Sequence, residues 1–335
     1  MNSQRDLQLD LYRGWAMIYI VCIIHVLYCF KLPLDWKPYL LVEMPVIFFI
    51  AGASFRLAPH KKGWELVKNR FKRVYRPYYR YLVLSLLFLG GYAFFVGPIQ
   101  RWSELDVVKA LLAFQVKGVP YAYHVWFILP YFLISISANQ QIVWQKRLGM
   151  WLFLACNLLL ALGGDLLEYL YPVLRGSDFY EALKNTIVYN LFYWVGYFFY
   201  RRVSKKVLVR LLFFFFAAYW CTRFLYPLNM QVNKFPPNLS FLLYNAFSLS
   251  LLSLLFSYIS MKPFRFVKLW NDEGYNIYLY QNFFFIVGEL LLVHCLRIDF
   301  QSSPYLSLVL GIPLLFALGS MFGMGCRFIS EPRSR

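Results

Sequence analysis

Repeated apolar runs constrain the fold of this chain more than any other feature of its sequence. Each run is long enough to cross a hydrocarbon core about 30 Å thick as a helix. The sequence therefore predicts an all-α polytopic bundle of about ten transmembrane helices, forming a single membrane-embedded domain over residues 1–335. The predicted spans are 11–31, 38–57, 81–100, 122–140, 149–170, 185–200, 208–226, 239–261, 274–296 and 305–327.

The charged residues agree with this fold and predict an orientation. Only 15% of the residues are charged, whereas a soluble domain carries roughly a quarter. With the N-terminus inside, 24 of the 34 Lys and Arg residues fall on the cytoplasmic side, so the positive-inside rule predicts that both termini are cytoplasmic. The net charge of +18 lies in short loops. No soluble basic domain is present to bind nucleic acid, so we expect no nucleic-acid partner.

The first apolar run carries the residues most suggestive of chemistry. Asp10 and Arg13 mark its beginning, and His25 lies within it, roughly 18 Å beyond Arg13 along a helix. A histidine inside a span is costly and is a functional candidate by default. The structural alternative is a histidine that only hydrogen-bonds to a neighbouring helix, and the composition does not separate the two.

A basic run between the second and third predicted spans is the next candidate. Arg70, Arg73 and Arg76 recur at a spacing of three, so on a helix they form a stripe near one face. Pro77 is then expected to open the next span. Such a row of guanidinium groups suits a polyphosphate ligand. The alternative is that these residues are topology signals alone.

Several other polar residues lie in or near the predicted spans. Glu43 is placed to pair with His25 if their helices adjoin, and the small residues around Gly52 let helices approach closely. Glu289 is expected to be a second buried carboxyl, whereas Asp165 and Glu168 are expected to be solvated at a span end. His124 and His294 are expected at the interface. The sequence contains neither a GxSxG serine motif nor His, Cys and Glu at metal-ligand spacing, so no metal site is expected.

Five motifs in order resemble those of the acyltransferase-3 family, polytopic membrane enzymes that acylate hydroxyls of glycans and other exported molecules. The similar segments are LDLYRG with the following helix and His25, EMPVIFFIAGAS, VKNRFKRVYRPYY, HVWFILPYFL and GYNIYLYQNFFF. The resemblance covers essentially the whole chain.

This resemblance implies a ten-span bundle, in a bacterial plasma (inner) membrane, that uses acyl-CoA as co-substrate and has no permanently bound cofactor. It implies that His25 is the catalytic base with Arg13 as its motif partner, and that Arg70 and Arg73, with Arg76, lie on the donor side. The acyl group, expected to be acetyl, passes to a glycan or lipid-linked saccharide. Asp10 or Glu43 is the candidate for orienting His25.

The chain departs from the family pattern at two positions. Eleven residues separate Arg13 from His25, whereas the family commonly has ten. The extra residue rotates His25 by about 100° away from the face of Arg13 unless a π-bulge absorbs it. The late motif usually ends in His, and Gln281 occupies that position here.

The leading hypothesis is therefore an integral membrane O-acyltransferase. Neutral His25 takes the proton of the acceptor hydroxyl, or else His25 is itself acylated during transit across the membrane. The alternatives are a transporter or flippase for a glycan or lipid-linked precursor, which accounts for ionisable residues inside the spans, and a structural partner in an envelope assembly.

Overall fold

The computed structural model describes residues 6–57, 63–96, 104–113, 123–259 and 264–330. These residues are helical apart from short connections, and none of them forms a β-strand. Two π-helical turns, Tyr19–Ile24 and Leu290–Cys295, interrupt the helical pattern. The α-helices are α1 (Leu7–Ile18), α2 (His25–Cys29), α3 (Glu43–Leu57), α4 (Gly63–Val96), α5 (Glu104–Leu111), α6 (Ile128–Leu148), α7 (Met150–Leu170), α8 (Asp178–Phe199), α9 (Lys205–Cys221), α10 (Met230–Lys234), α11 (Leu239–Phe256), α12 (Arg265–Glu289) and α13 (Pro304–Ser330).

Seven helical segments in the described part of the chain are long and apolar enough to cross a membrane. This confirms the prediction of an all-helical protein with membrane-spanning helices. The seven segments are Leu7–Cys29, Lys37–Leu57, Met150–Leu170, Lys205–Phe224, Leu239–Phe256, Arg265–Cys295 and Pro304–Ile329. The remaining predicted spans, 81–100, 122–140 and 185–200, overlap α4, α6 and α8. Residues 97–100, 122 and 260–261 of the predicted spans lie outside the described residues.

The segment Leu7–Cys29 occupies the interior of the bundle. Its N-terminal helix α1 packs mainly against α12 and also against α3. Downstream, Val21, Cys22 and Val26 are completely buried. Helix α12 in turn packs against α13, and α3 packs against α8. The segment that carries His25 is therefore held by helices from both the beginning and the end of the chain.

Glycines permit the closest helix crossings, as the sequence predicted for the region around Gly52. A Cβ atom added to Gly52 of α3 would lie 1.7 Å from the Tyr193 carbonyl oxygen of α8, and one added to Gly196 would lie 1.9 Å from that of Phe49. Both distances are far below van der Waals contact, so each helix needs a glycine where it meets the other. Gly14 allows α1 to approach the backbone of Val267 in α12 in the same way.

The basic run belongs to α4, a single helix of 34 residues. Pro77 lies inside this helix, so the expectation that Pro77 opens a new span is wrong. Its missing N–H and ring would weaken an isolated helix. Here the Tyr275 hydroxyl of α12 donates to the Val74 carbonyl at 2.8 Å and ties α4 to the bundle on the N-terminal side of the proline. Residues 58–62 of the basic run, including His60, lie outside the described residues.

The short helix α5 follows α4 in the chain and is held from two sides. The hydroxyl groups of Tyr75 and Tyr78 in α4 donate to the carbonyl oxygens of Leu112 and Ala110. On the other side, Lys109 forms an ion pair with Asp178 at the start of α8, with Nζ and Oδ2 2.5 Å apart. The hydrogen bond from Lys109 to Asp178 raises the pKa of this lysine.

Candidate functional site

A π-helical turn places His25. Tyr19–Ile24 forms the π turn between α1 and α2, and the backbone N–H of His25 donates to the Ile20 carbonyl, five residues earlier. A π turn accommodates one residue more than an α-helix of the same rise. The structure therefore contains the π-bulge that the eleven-residue spacing between Arg13 and His25 requires, at the position immediately before the histidine.

Gln281 of α12 is the hydrogen-bonding partner of the His25 ring. His25 Nδ1 lies 2.5 Å from the Gln281 Oε1 atom, and the Gln281 side chain is only 1% exposed. An amide oxygen can only accept a hydrogen bond, so Nδ1 carries the proton and Nε2 keeps its lone pair. The imidazole is partly exposed. In the neutral ring, the hydrogen bond to Gln281 favours the tautomer in which Nε2 can act as a base.

A second histidine lies beside the same tyrosine. The rings of His25 and His124 are each centred 5.5 Å from the ring of Tyr278. The Tyr278 hydroxyl donates to the His124 carbonyl at 2.6 Å, and His124 Nδ1 lies 3.1 Å from Asn282 Nδ2. His124 is 3% exposed, so the expectation that it lies at the interface is wrong.

Arg13 and Asp10 lie together at the other end of the segment. The Arg13 guanidinium donates to Asp10 at 3.3 Å, to Asn271 of α12 at 3.0 Å and to Ser54 of α3 at 2.7 Å. These bonds join α1 to both of its neighbours. Arg13 therefore supports the helix that carries His25, about 18 Å from the imidazole. Asp10 therefore orients Arg13 and not His25, because the His25 ring is hydrogen-bonded to Gln281.

Glu43 pairs with a lysine instead of with His25. Its carboxylate forms an ion pair with Lys234 of α10, and both side chains are buried, at 2% and 5% exposure. A buried carboxylate needs a cation or several hydrogen-bond donors, and Lys234 supplies the cation. Both charges interact electrostatically with His25. Glu43 thus contributes to the electric field at the imidazole. It does not form the expected direct pair with His25.

Two further expectations about carboxylates are also wrong. Glu289 was expected to be buried, and its side chain is exposed. Glu168 was expected to be solvated, yet it is 6% exposed, and its Oε1 atom lies 2.7 Å from Lys184 Nζ. Asp165 lies 2.6 Å from the same nitrogen. Lys184 is itself 1% exposed. Its positive charge compensates both carboxylates, so the pair can be buried away from water. His294 is exposed, in agreement with an interfacial position.

The three arginines of the basic run do not share one face of α4. The buried face includes Leu66, Val74 and Tyr78, and Arg70 lies on the same face, one turn before Val74. Its Nε atom is buried and has no hydrogen-bond partner among the described residues. Arg73 and Arg76, by contrast, are exposed. Only Arg70 directs its guanidinium into the bundle.

Several buried polar atoms near His25 are unsatisfied within the described residues. They are Nε2 of Gln281, Oε2 of Glu43 and the hydroxyl oxygen of Tyr28. The carboxylate of Glu43 interacts electrostatically with both Tyr28 and His25. Buried polar groups are nearly always hydrogen-bonded in folded proteins. These atoms are therefore available to a polar ligand or to water beside the imidazole.

A cleft of about 550 Å³ opens beyond the C-terminal end of α2, one helical turn past His25. We call it the α2 cleft. Its lining includes Cys29, Lys31, Glu289, Arg297 and Asp299. Backbone and side-chain hydrogen bonds from Gln301 and Ser302 lower the pKa of Asp299, so this carboxylate stays ionised. The cleft thus offers charged groups of both signs and hydrogen-bonding groups at the end of the His25 segment.

The residues around His25 that the sequence did not single out for a role lie in one motif. Tyr278 and Asn282 belong to the segment GYNIYLYQNFFF, and Gln281 of the same segment was named only as a departure from the family pattern. No cluster of three metal-ligating side chains occurs among the residues that the structure describes. Comparison of the chain with protein-family models, with curated proteins and with solved structures gives no match.

Proposed function

We propose that this chain is an integral membrane O-acyltransferase of the acyltransferase-3 type. It moves an acyl group, expected to be acetyl, from cytoplasmic acyl-CoA to a hydroxyl of a glycan or another exported acceptor. The proposal includes ten membrane spans, with α4, α6 and α8 added to the seven apolar segments, and both termini in the cytoplasm. The observation that carries it is the hydrogen bond between His25 and Gln281, which leaves Nε2 of a membrane-embedded imidazole free to take a proton.

The proposed reaction is a single acyl transfer. His25 Nε2 removes the proton of the acceptor hydroxyl as its oxygen attacks the thioester carbonyl. The tetrahedral intermediate then collapses, the carbon–sulfur bond breaks, and the CoA thiolate takes the proton back from Nε2. Because the thioester is already activated, the protein chiefly supplies the base and the orientation of the two substrates. Gln281 acts as a positioning residue by holding the ring and its tautomer.

Arg70 is the proposed contact for the phosphates of acyl-CoA. Its guanidinium lies on the buried face of α4 with Nε unsatisfied. An inward-facing cation of this kind is stabilised by an anionic ligand, and guanidinium binds phosphate oxygens in a bidentate manner. Arg73, three residues further along, is exposed and assists at the entrance. The acceptor approaches from the opposite end of the segment, through the α2 cleft.

Replacement of His25 tests the proposal. The purified protein is reconstituted in proteoliposomes with radiolabelled acetyl-CoA, and transfer to envelope glycan fragments is measured. We expect His25→Ala to lose about 10²- to 10⁴-fold in rate, the usual contribution of a general base. His294→Ala, which alters an exposed histidine, is the matched control and should retain activity. Full activity of a folded His25→Ala variant would exclude the proposed mechanism.

The acceptor is identified separately by mass spectrometry of envelope glycans from cells with and without the gene. A glycan that lacks the mass of an acyl group in cells without the gene identifies both the acyl group and the acceptor. Uptake of a labelled glycan precursor without turnover of acyl-CoA would instead indicate a transporter.

A further inference from the structure

Four cations form a row on the exposed face of α4, separate from inward-facing Arg70. Lys68, Lys72, Arg76 and Arg80 recur at intervals of four residues, and all four side chains are exposed. Residues four apart are neighbours on a helix surface, each about 40° further around the axis, so the row extends about 18 Å along α4 and winds by about 120° around it. Like charges at this spacing repel each other. The row is therefore stabilised by an anionic ligand.

The same four cations line one side of a groove with a volume of about 820 Å³. We call it the α4 groove. Aromatic and apolar side chains make up the rest of its lining, including those of Val83, Leu84 and Tyr280, and no carboxylate of the described residues lines it. The groove therefore combines positive charge with a hydrocarbon-like surface.

The polarity of α4 changes abruptly at the end of the groove. Beyond Arg80, the exposed side chains are apolar, with Val83, Leu84 and Leu87 at 56%, 48% and 67% exposure. An exposed apolar helix face in a membrane protein lies against acyl chains. A phospholipid has the same sequence of polarity, because only a short glycerol ester linkage separates its phosphate from hydrocarbon. Acyl-CoA does not, since a long polar pantetheine arm separates its phosphates from the acyl group.

We propose that the α4 groove binds an anionic phospholipid, with its phosphate on the Lys68–Arg80 row and an acyl chain against Val83, Leu84 and Tyr280. Arg76 then belongs to this lipid site, and the donor side retains Arg70 and Arg73. The lipid phosphate offsets part of the positive charge of the row and fixes the position of α4, whose opposite face carries Arg70. This inference requires that the chain is embedded in a membrane and does not depend on acyl transfer.

Native mass spectrometry of the purified full-length chain tests the site. The protein is released from mixed micelles that contain equal amounts of phosphatidylglycerol and phosphatidylcholine, and the retained lipids are counted. Each cation near an anionic membrane surface contributes on the order of a fivefold change in binding. We therefore expect Lys72→Gln/Arg76→Gln to reduce the preference for phosphatidylglycerol by about 25-fold.

A matched control distinguishes a specific lipid site from nonspecific attraction of lipids to surface charge. Lys206 and Arg210 of α9 are also an exposed Lys and Arg four residues apart, and Lys206→Gln/Arg210→Gln should leave the lipid preference unchanged. Val83→Gln is expected to weaken phosphatidylglycerol binding without changing the charge. Equal losses in both double variants, or no loss in either, would overturn the proposal.

Two competition experiments distinguish the ligand sources. Millimolar glycerol 3-phosphate, which lacks acyl chains, should not displace phosphatidylglycerol, and neither should acetyl-CoA. Displacement by glycerol 3-phosphate would mean that the row is a simple phosphate site, and displacement by acetyl-CoA would mean that the groove is the donor site. Either result contradicts the lipid assignment. Failure of acyl transfer in all assays would leave the lipid result intact, so the two proposals are tested independently.

Discussion

Gln281 of α12 accepts a hydrogen bond from the His25 ring, with Oε1 and Nδ1 2.5 Å apart. The two residues are separated by 256 positions in the chain. Their contact joins the π turn of the first segment to the motif in which Tyr278 and Asn282 also lie. The geometry around the candidate base is thus set by a glutamine at a position where the resembling family usually has histidine.

Substitution of Gln281 should impair catalysis more than folding. Gln281→Leu removes the acceptor for His25 Nδ1 while keeping the volume, so the ring loses its orientation and its tautomer preference. We expect kcat to fall by about 10- to 100-fold, the value of one hydrogen bond to a group that becomes charged. Gln281→Glu keeps an acceptor at the same place and should retain most activity. If the leucine and glutamate variants have equal kcat values, Gln281 does not position the base.

The π turn should tolerate a deletion and not an insertion. Deleting Ile23 converts the π turn to α-helical geometry without rotating His25 relative to Arg13, because the π turn accommodates one extra residue. Inserting an alanine after Ile23 rotates the ring by about 100° away from Gln281. We expect the deletion variant to keep measurable acyl transfer and the insertion variant to lose about 10²- to 10⁴-fold. The opposite order would show that the turn does not set the register.

Arg70 and Arg73 should differ in their effect on the donor. Arg70→Gln removes the inward guanidinium and is expected to raise the KM for acetyl-CoA by about 10- to 100-fold, the value of a hydrogen bond to a charged group. Arg73→Gln changes an exposed side chain and should raise KM by a smaller factor. Arg147→Gln, at an exposed position near the end of α6, serves as the control with unchanged kinetics. A KM for acetyl-CoA that does not depend on Arg70 would remove this residue from the donor site.

The sequence predicted the helical class, the interior position of His25 and the close approach at Gly52, because each follows from local pattern. Apolar length specifies a span, and a glycine among apolar residues indicates helix contact. The spacing of Arg13 and His25 even required a π-bulge for alignment, and the structure has one. These features depend on residues near one another in the chain.

The pairing of buried polar groups was not predictable in the same way. Glu43 pairs with Lys234 and not with His25, because a buried carboxylate is stabilised most by a cation. This lysine lies between the predicted spans 208–226 and 239–261, so the sequence did not place it beside Glu43. The prediction that the three arginines form a stripe near one helix face was wrong for a geometric reason. Three residues are about 60° short of a full turn, so Arg70 and Arg76 differ by about 120°. Arg70 therefore lies on the buried side of α4, whereas Arg76 is exposed.

The α3–α8 crossing should be intolerant of a single methyl group. Gly52→Ala places a Cβ atom 1.7 Å from the Tyr193 carbonyl oxygen, so the helices must separate, and overpacking of this kind costs typically 1–3 kcal/mol or more. Gly163→Ala is the matched control, since nothing lies within 4 Å of its added Cβ. Thermal unfolding in detergent should show a lower midpoint for Gly52→Ala and an unchanged or higher midpoint for Gly163→Ala.

The buried Lys184 cluster should be sensitive to the loss of its lysine. Lys184 Nζ lies 2.6 Å from Asp165 and 2.7 Å from Glu168, and Lys184→Met would leave two carboxylates without their shared cation. We expect a loss of about 3–5 kcal/mol in the free energy of unfolding, as for a buried charge that loses its partner. Lys206→Met, at an exposed position on α9, should change stability by less than about 0.5 kcal/mol. Equal unfolding midpoints for the two variants would show that Asp165 and Glu168 are solvated after all, as the sequence alone had suggested.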